Sequence, residues 1–182
     1  MNRKKRLARK TKETDISVEI GLDGTGKYAI DLPDKWLKHM LESVARFGKF
    51  DLRIKASGDF GHHIIEDVGI ALGKALKNAL GDKPVQRVGS ATLPMDDALV
   101  TVAIDLVDRP YCQVDLPDEM LEHFLRSLAM EARITLHSII LRGKNFHHIN
   151  EATFKAFGMA LHQATRPAGK LQSTKGRVRW SR

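Results

Sequence analysis

Residues 31–46, DLPDKWLKHMLESVAR, return 84 positions later as DLPDEMLEHFLRSLAM at 115–130. His39 falls on His123, Ser43 on Ser127 and Ala45 on Ala129. FDLRIKASGDFGHHIIED (50–67) then matches ITLHSIILRGKNFHHINEA (134–152), with one extra residue before the second histidine pair. Two ordered blocks at a nearly constant offset mark two copies of one supersecondary unit. The order predicted in each copy is helix, strand, loop, histidine pair, helix.

Asp34 is placed to cap a helix whose apolar positions Leu37, Met40, Leu41 and Val44 recur at helical spacing. FDLRIKA alternates as a strand does. Ile65, Val68, Leu72, Ala75 and Leu76 mark the buried stripe of a second helix that Gly81 can end. ISVEIGLDGTGKYAI reads as a hairpin around its DGTG turn. The second copy offers the strand ALVTVAIDL, a helix with Leu121, Phe124, Leu125 and Leu128, and a last helix over roughly 148–165. The predicted fold class is α+β: two duplicated half-domains, each a small sheet with helices on one face, related by a pseudo-twofold axis. The expected divisions of this one compact domain are a basic arm (1–12), half-repeats over 13–92 and 93–168, and a basic tail (169–182).

A formal charge of +8 invites a nucleic-acid reading, but residues 1–12 hold seven basic residues and no acid. The rest of the chain sets 23 basic residues against 22 acidic ones. The excess therefore belongs to a terminus, read as solvated, rather than to a binding face. No apolar run reaches the roughly 20 residues of a membrane span. The single Cys112 excludes an internal disulfide and suits a cytoplasmic setting.

The histidine pairs carry the chemistry. Consecutive helical side chains diverge by about 100°, whereas positions three or four apart share a face. Glu66 can thus join His63 or His62 around one ion, but His62 and His63 point toward two different ions. His147, His148 and Glu151 repeat the pattern. Imidazole with carboxylate suits Mn, Fe, Zn or Ni, and His39, His123 and His137 are available to complete the shells.

Taken together, these motifs resemble imidazoleglycerol-phosphate dehydratase, the manganese enzyme of histidine biosynthesis. RKTKET (9–14) is similar to the family's R-x-T-x-E-T opening, and HHIIEDVGIALG to its first histidine motif. LPMDDALVTVAIDLVDRPY (93–111), ARITLH (132–137), HHINEATFKAFGMAL (147–161) and STKG (173–176) match later segments in the family's order. The resemblance implies a ribosomal protein S5 domain 2-like fold, a 24-subunit shell and two Mn²⁺ per subunit. It implies a phosphorylated imidazole substrate, dehydrated from imidazole glycerol phosphate to imidazole acetol phosphate. Carried over by position, the metal ligands are His39, His62, His63, Glu66, His137, His147, His148 and Glu151. Glu13 is the acid/base group, with Glu66 and Glu151 also at the catalytic centre, and Arg87, Arg109, Ser173 and Lys175 hold the phosphate.

The chain departs from the family pattern around the pocket. Lys38 stands for an acid beside the first ligand histidine, Ser43 for a glutamine and Phe47 for a histidine counted among the substrate contacts. Ile64 replaces a threonine, and the loops before the first histidine pair and after Tyr111 are short. Two alternatives stay open on sequence alone: a metal-dependent relative acting on another phosphorylated small molecule, and a non-catalytic, metal-bound shell protein.

Overall fold

A computed structural model describes residues 3–170, 172–174 and 176. The first half runs β1 (Lys4–Lys10), β2 (Thr14–Gly21), β3 (Tyr28–Asp31), α1 (Lys35–Gly48), β4 (Asp51–Gly58) and α2 (Gly61–Leu80). The second repeats the order as β5 (Val88–Met95), β6 (Ala98–Asp105), β7 (Tyr111–Gln113), α3 (Glu119–Ala132), β8 (Thr135–Arg142) and α4 (Phe146–Thr165). The two sheets share one topology, β1-β2-β4-β3 and β5-β6-β8-β7.

Strand alternation puts Ile16, Val18, Ile20, Leu52 and Ile54 inward in one sheet and Val100, Val102, Ile104 and Leu136 inward in the other. The helices cover these inner faces. The Asp34 carboxylate accepts the Leu37 N–H at 2.7 Å to start α1, and Asp118 accepts from Met120 and Leu121 to start α3. Asn145 caps α4 in the same way, while Phe60 at the head of α2 supplies no side-chain bond.

The helices then pair across the repeat: α2 lies on α3, and α1 lies on α4. Glycine permits both crossings. A methyl on Gly73 of α2 would sit 2.4 Å from the Leu128 carbonyl oxygen, and one on Gly158 of α4 would sit 2.8 Å from that of Val44. Gly73→Ala and Gly158→Ala are each expected to lower stability by about 1–3 kcal/mol. Urea denaturation checks this, with Gly61→Ala as the near-neutral control because its methyl would meet nothing within 4 Å.

Three expectations need correction. The basic arm is an edge strand: Lys4–Lys10 pairs antiparallel with β2, and it is the counterpart of β5 at the same offset of 84. Its charges meet acids of the same half, Lys4 with Glu19 and Lys10 with Asp15, both at 2.9 Å, and Arg3 with Asp23. The halves therefore divide between Leu80 and Val88, not near residue 92. The segment ISVEIGLDGTGKYAI is no hairpin either. β2 pairs with β1 and β4, while β3 crosses to run parallel with β4, because α1 carries the chain over the sheet between them.

Candidate metal and substrate site

The crossing of helices from opposite halves creates two matching clusters. In the first, His147 Nε2 of α4 lies 3.1 Å from Glu151 Oε2, and His39 Nε2 of α1 lies 3.2 Å from the same oxygen. In the second, His62 Nε2 of α2 lies 4.0 Å from Glu66 Oε2, and His123 Nε2 of α3 lies 3.7 Å from it. Within each trio the ligand-type atoms all fall inside 4.8 Å of one another. Of the two helical pairings open to Glu66, the i, i+4 one is realised. Glu151 is buried, and burial would raise its carboxyl pKa. Hydrogen bonds from Lys155 (2.8 Å) and His39 more than offset that and hold it below the ordinary range.

The second histidine of each pair turns away, as helical geometry requires. The His62 and His63 rings stand at 85°, those of His147 and His148 at 87°. Each meets an acid from the hairpin loop of its own half. His63 Nδ1 lies 2.9 Å from Asp59 and 3.9 Å from Glu13; His148 Nδ1 lies 2.7 Å from Asp97, the repeat counterpart of Glu13. The Asp59 hydrogen bond, aided by the Glu13 charge, raises the His63 pKa against the smaller effect of burial.

Asp97 also accepts the backbone N–H groups of Lys144 at 2.7 Å and Asn145 at 3.2 Å, pinning the loop that opens α4. The Lys144 bond, the His148 contact and the Asn145 bond bring its pKa down to about 2. A carboxyl group whose pKa falls on folding stabilises the fold above its unfolded value, and that contribution is lost as pH drops through the folded value. Asp97→Asn is therefore expected to be less stable than the parent at neutral pH. The gap should close between about pH 4 and pH 2, as paired denaturation curves would report.

Asp67, beside Glu66, is buried and accepts from Arg9 Nε at 3.0 Å and from the Thr14 hydroxyl. Arg9 and Thr14 of the RKTKET motif thus tie the β1–β2 hairpin, and Glu13 within it, to the head of α2. Trp36 walls the first cluster, 4.8 Å from the His147 ring and 6.1 Å from His39. Its indole N–H donates to Asp118 at 3.2 Å, joining α1 to the cap of α3.

The remaining sequence-predicted residues do not join these trios. His137 is exposed on the outer face of β8 beside Tyr111. Arg87 is bound to both Asp105 oxygens (2.7 and 2.8 Å) and to the Gln172 carbonyl. Its backbone N–H donates to Ala164 at the tail of α4. Arg109 follows Asp108, which Lys77 near the tail of α2 touches at 3.1 Å. Arg87 and Asp108 line a cleft of about 790 Å³ with Lys77, Lys83 and Arg133, at the opposite end of the helices from the histidines. Ser173 lies in a turn closed by the Gly176 N–H, and Lys175 lies outside the described residues. Lys38 is half-buried, Ser43 is buried, and Phe47 is exposed with the Lys155 ammonium 5.2 Å above its ring. Sequence reasoning missed the assignment of His123 to a trio and the approach of Lys155 to Glu151. The signals were present: His123 repeats His39, and Lys155 follows Glu151 by one helical turn.

A family model described as imidazoleglycerol-phosphate dehydratase matches residues 34–161. The imidazoleglycerol-phosphate dehydratase of Acetivibrio thermocellus is 48% identical, across 97% of this chain and 99% of its own. The chain belongs to the imidazoleglycerol-phosphate dehydratase family. The dehydratase of Desulforudis audaxviator is 47% identical over 96% of this chain and 97% of its own. The crystal structure of the Pyrococcus furiosus member in complex with (S)-C348 covers 94% of this chain and all of its own, with 44% identity and a TM-score of 0.85. The Staphylococcus aureus dehydratase structure gives 0.82 at 32% identity, covering 91% and 99%. The duplicated α+β fold is thus that of the family, and the chain is a hydro-lyase of this family. Among the described residues, no helix is long and apolar enough to cross a membrane.

Proposed function

We propose that this chain is a manganese-dependent dehydratase converting imidazole glycerol phosphate to imidazole acetol phosphate in the cytoplasm, a step of histidine biosynthesis. The observation that carries the reading is the pair of His-His-Glu trios in a member of this family. The donor set fits a borderline divalent transition ion: two imidazole nitrogens and one carboxylate oxygen, with no thiolate. His39, His147 and Glu151 would hold one ion, and His62, His123 and Glu66 the other. His63, His137 and His148 are read as donors offered to neighbouring copies.

When bound, the ions supply Lewis-acid stabilisation of negative charge on the substrate ring. The reaction removes a proton from carbon and a hydroxyl from the neighbouring carbon, which leave together as water. Glu13 stands on the hairpin loop at the rim of this region, exposed, with its carboxylate toward His63. It is read as the group that carries the proton at the leaving oxygen, a role worth typically ~10²–10⁴-fold. Arg87 still has N–H donors beyond those on Asp105 and Gln172. Together with Arg109, Ser173 and Lys175 it offers charge-assisted bonds to a phosphate dianion. That phosphate end lies far from the chain's own trios, which supports a shared site in a large homo-oligomer, a 24-subunit shell as in the family pattern.

Turnover of imidazole glycerol phosphate by the purified chain tests the reading. Chelation should abolish it and Mn²⁺ should restore it. Mn²⁺ should also quench Trp36 fluorescence in a Trp180→Phe background, because Trp36 lies against the first trio. Full turnover after complete metal removal would overturn the metal role, and absence of turnover with two ions bound would overturn the substrate.

A further inference from the structure

The Arg109 guanidinium makes no hydrogen bond or ion pair among the described residues. Its backbone, by contrast, is held on both sides. The Asp108 carbonyl, in the peptide group before it, accepts from Arg133 Nη2 at 2.8 Å. The Arg109 carbonyl accepts from the Thr135 hydroxyl at 3.1 Å. Pro110 follows and restricts Arg109 to extended conformations. Asp108 itself lies in the left-handed region, at φ 59°. Away from glycine that region is uncommon, and aspartate is among the residues that tolerate it best.

The Asp108 side chain closes the arrangement. Its Oδ1 accepts from Arg133 Nε at 2.7 Å and from the Lys77 ammonium at 3.1 Å. Lys77 stands in the last turn of α2 and Arg133 caps the C-terminal end of α3. Two packed helices from opposite halves therefore grip one loop residue. Arg133 spans the carboxylate and the carbonyl of that residue, a two-point grip that suits a planar guanidinium and not an ammonium. Burial would raise the Asp108 pKa, but the bonds from Arg133 and Lys77 hold it below the ordinary carboxylate range. Ion pairs at the surface contribute little to stability, and the Asp108 side chain is 68% exposed. What the grip determines is the direction of the residue that follows.

We propose that Asp108 is a positioning residue for Arg109: held by Lys77 and Arg133, it sets the direction in which the Arg109 guanidinium leaves the loop toward the substrate phosphate. The inference rests on the reading of Arg109 as a phosphate contact. Charge alone makes the opposite prediction. A carboxylate beside a phosphate site repels the dianion, so an Asp108 acting only through its charge would weaken binding, and its removal would strengthen it.

The test uses the full chain with Mn²⁺, imidazole glycerol phosphate as substrate and inorganic phosphate as competing probe. Asp108→Gly keeps the left-handed backbone without strain but deletes both side-chain bonds. It should raise KM and the phosphate inhibition constant together by about 3–10-fold, while kcat stays within about twofold. Asp108→Asn retains an oxygen acceptor and tolerates the left-handed region, and should keep both constants near the parental values. Arg133→Lys keeps the charge but loses the two-point grip, and should share the rise. In an Arg109→Lys background a flexible point charge replaces the fork, and Asp108→Gly should add no more than about twofold. Unchanged or lower constants in Asp108→Gly would overturn the inference. An undiminished rise in the Arg109→Lys background would overturn it too, because Asp108 would then act through the fold. Arg109→Ala with parental KM would remove the clamp reading and this inference with it. A defective Arg109→Ala beside a parental Asp108→Gly would remove this inference alone. If Asp108→Gly fails to fold, Arg133→Lys carries the same comparison with Asp108 in place.

Discussion

Glu151→Gln is expected to reduce turnover by roughly 10²–10³-fold or more, the scale seen when one electrostatic stabiliser is taken from an active site. The substitution keeps the shape and a carbonyl oxygen but deletes the negative charge. That charge is the common partner of His39, His147 and Lys155, all within 3.2 Å of the buried carboxylate. Without it an ion would rest on two neutral imidazoles beside an ammonium group with no counter-charge at that position, and the ammonium would repel it. Metal analysis of the variant should therefore find one ion per chain in place of two. The Trp36 signal should stop responding to Mn²⁺ at concentrations that saturate the parent. Thermal stability in the presence of chelator should change less than activity, because the helix crossing rests on Phe154, Ala156 and Phe157, all buried, rather than on Glu151. A variant with parental ion content and kcat would remove the first trio from the catalytic machinery.

The parts of this design that can be read from the chain are those written in short range. The four helices announce themselves through apolar spacing and through Asp34, Asp118 and Gly81, whose effects act within one turn. The divergence of His62 from His63 follows from helix geometry alone, and the near-perpendicular rings bear it out. The first strand stays hidden because both of its faces are largely exposed: KKRLARK has no apolar alternation to betray it. Only the repeat itself points to it, since Lys4–Lys10 stands 84 positions before the strand that opens the second half. The false hairpin has a similar origin. A DGTG turn between two alternating segments is the local signature of antiparallel pairing, yet β1 and β4 take both edges of β2, and α1 carries β3 to the far side of β4. His123 shows in the sequence only as the repeat of His39, because its partners Glu66 and His62 lie on another helix of the other half.

The same pseudo-symmetry explains why the halves differ where they do. Glu13 and Asp97 occupy equivalent loops, each facing the second histidine of its pair. Asp97 is tied to two backbone N–H groups, whereas Glu13 carries none of these bonds and keeps an exposed carboxylate. One copy of the loop acid anchors a helix head; in the function proposed above, the other carries the proton. Asp67 is unmatched too, since Ala152 stands in its place, and its ties to Arg9 and Thr14 hold the loop that carries Glu13. Division of labour between duplicated loops is what a single catalytic acid/base in a twofold frame requires.

Mixing two inactive chains is expected to produce turnover that neither has alone. Arg109→Ala should abolish phosphate binding but leave both trios intact, and Glu151→Gln should do the reverse. Within one chain the two ends cannot serve the same substrate. His147 and Ala164 are separated along α4 by a helical rise of about 25 Å, and Arg87 docks at Ala164. His62 and Lys77 are separated along α2 by about 22 Å, and Asp108, the neighbour of Arg109, docks at Lys77. Neither gap can be bridged by one arginine and a small phosphorylated ligand. A centre that uses both must take its ions from one chain and its phosphate clamp from another. Co-expression of the two variants with different tags, followed by purification through both, gives hybrids in which some contacts join an intact trio to an intact Arg109. Those contacts should turn over imidazole glycerol phosphate with near-parental KM, since each is complete, while kcat per chain falls with the fraction of such contacts. Hybrids as inactive as their parents would mean that trio and clamp are drawn from the same chain, and the shared-site assembly would have to be abandoned.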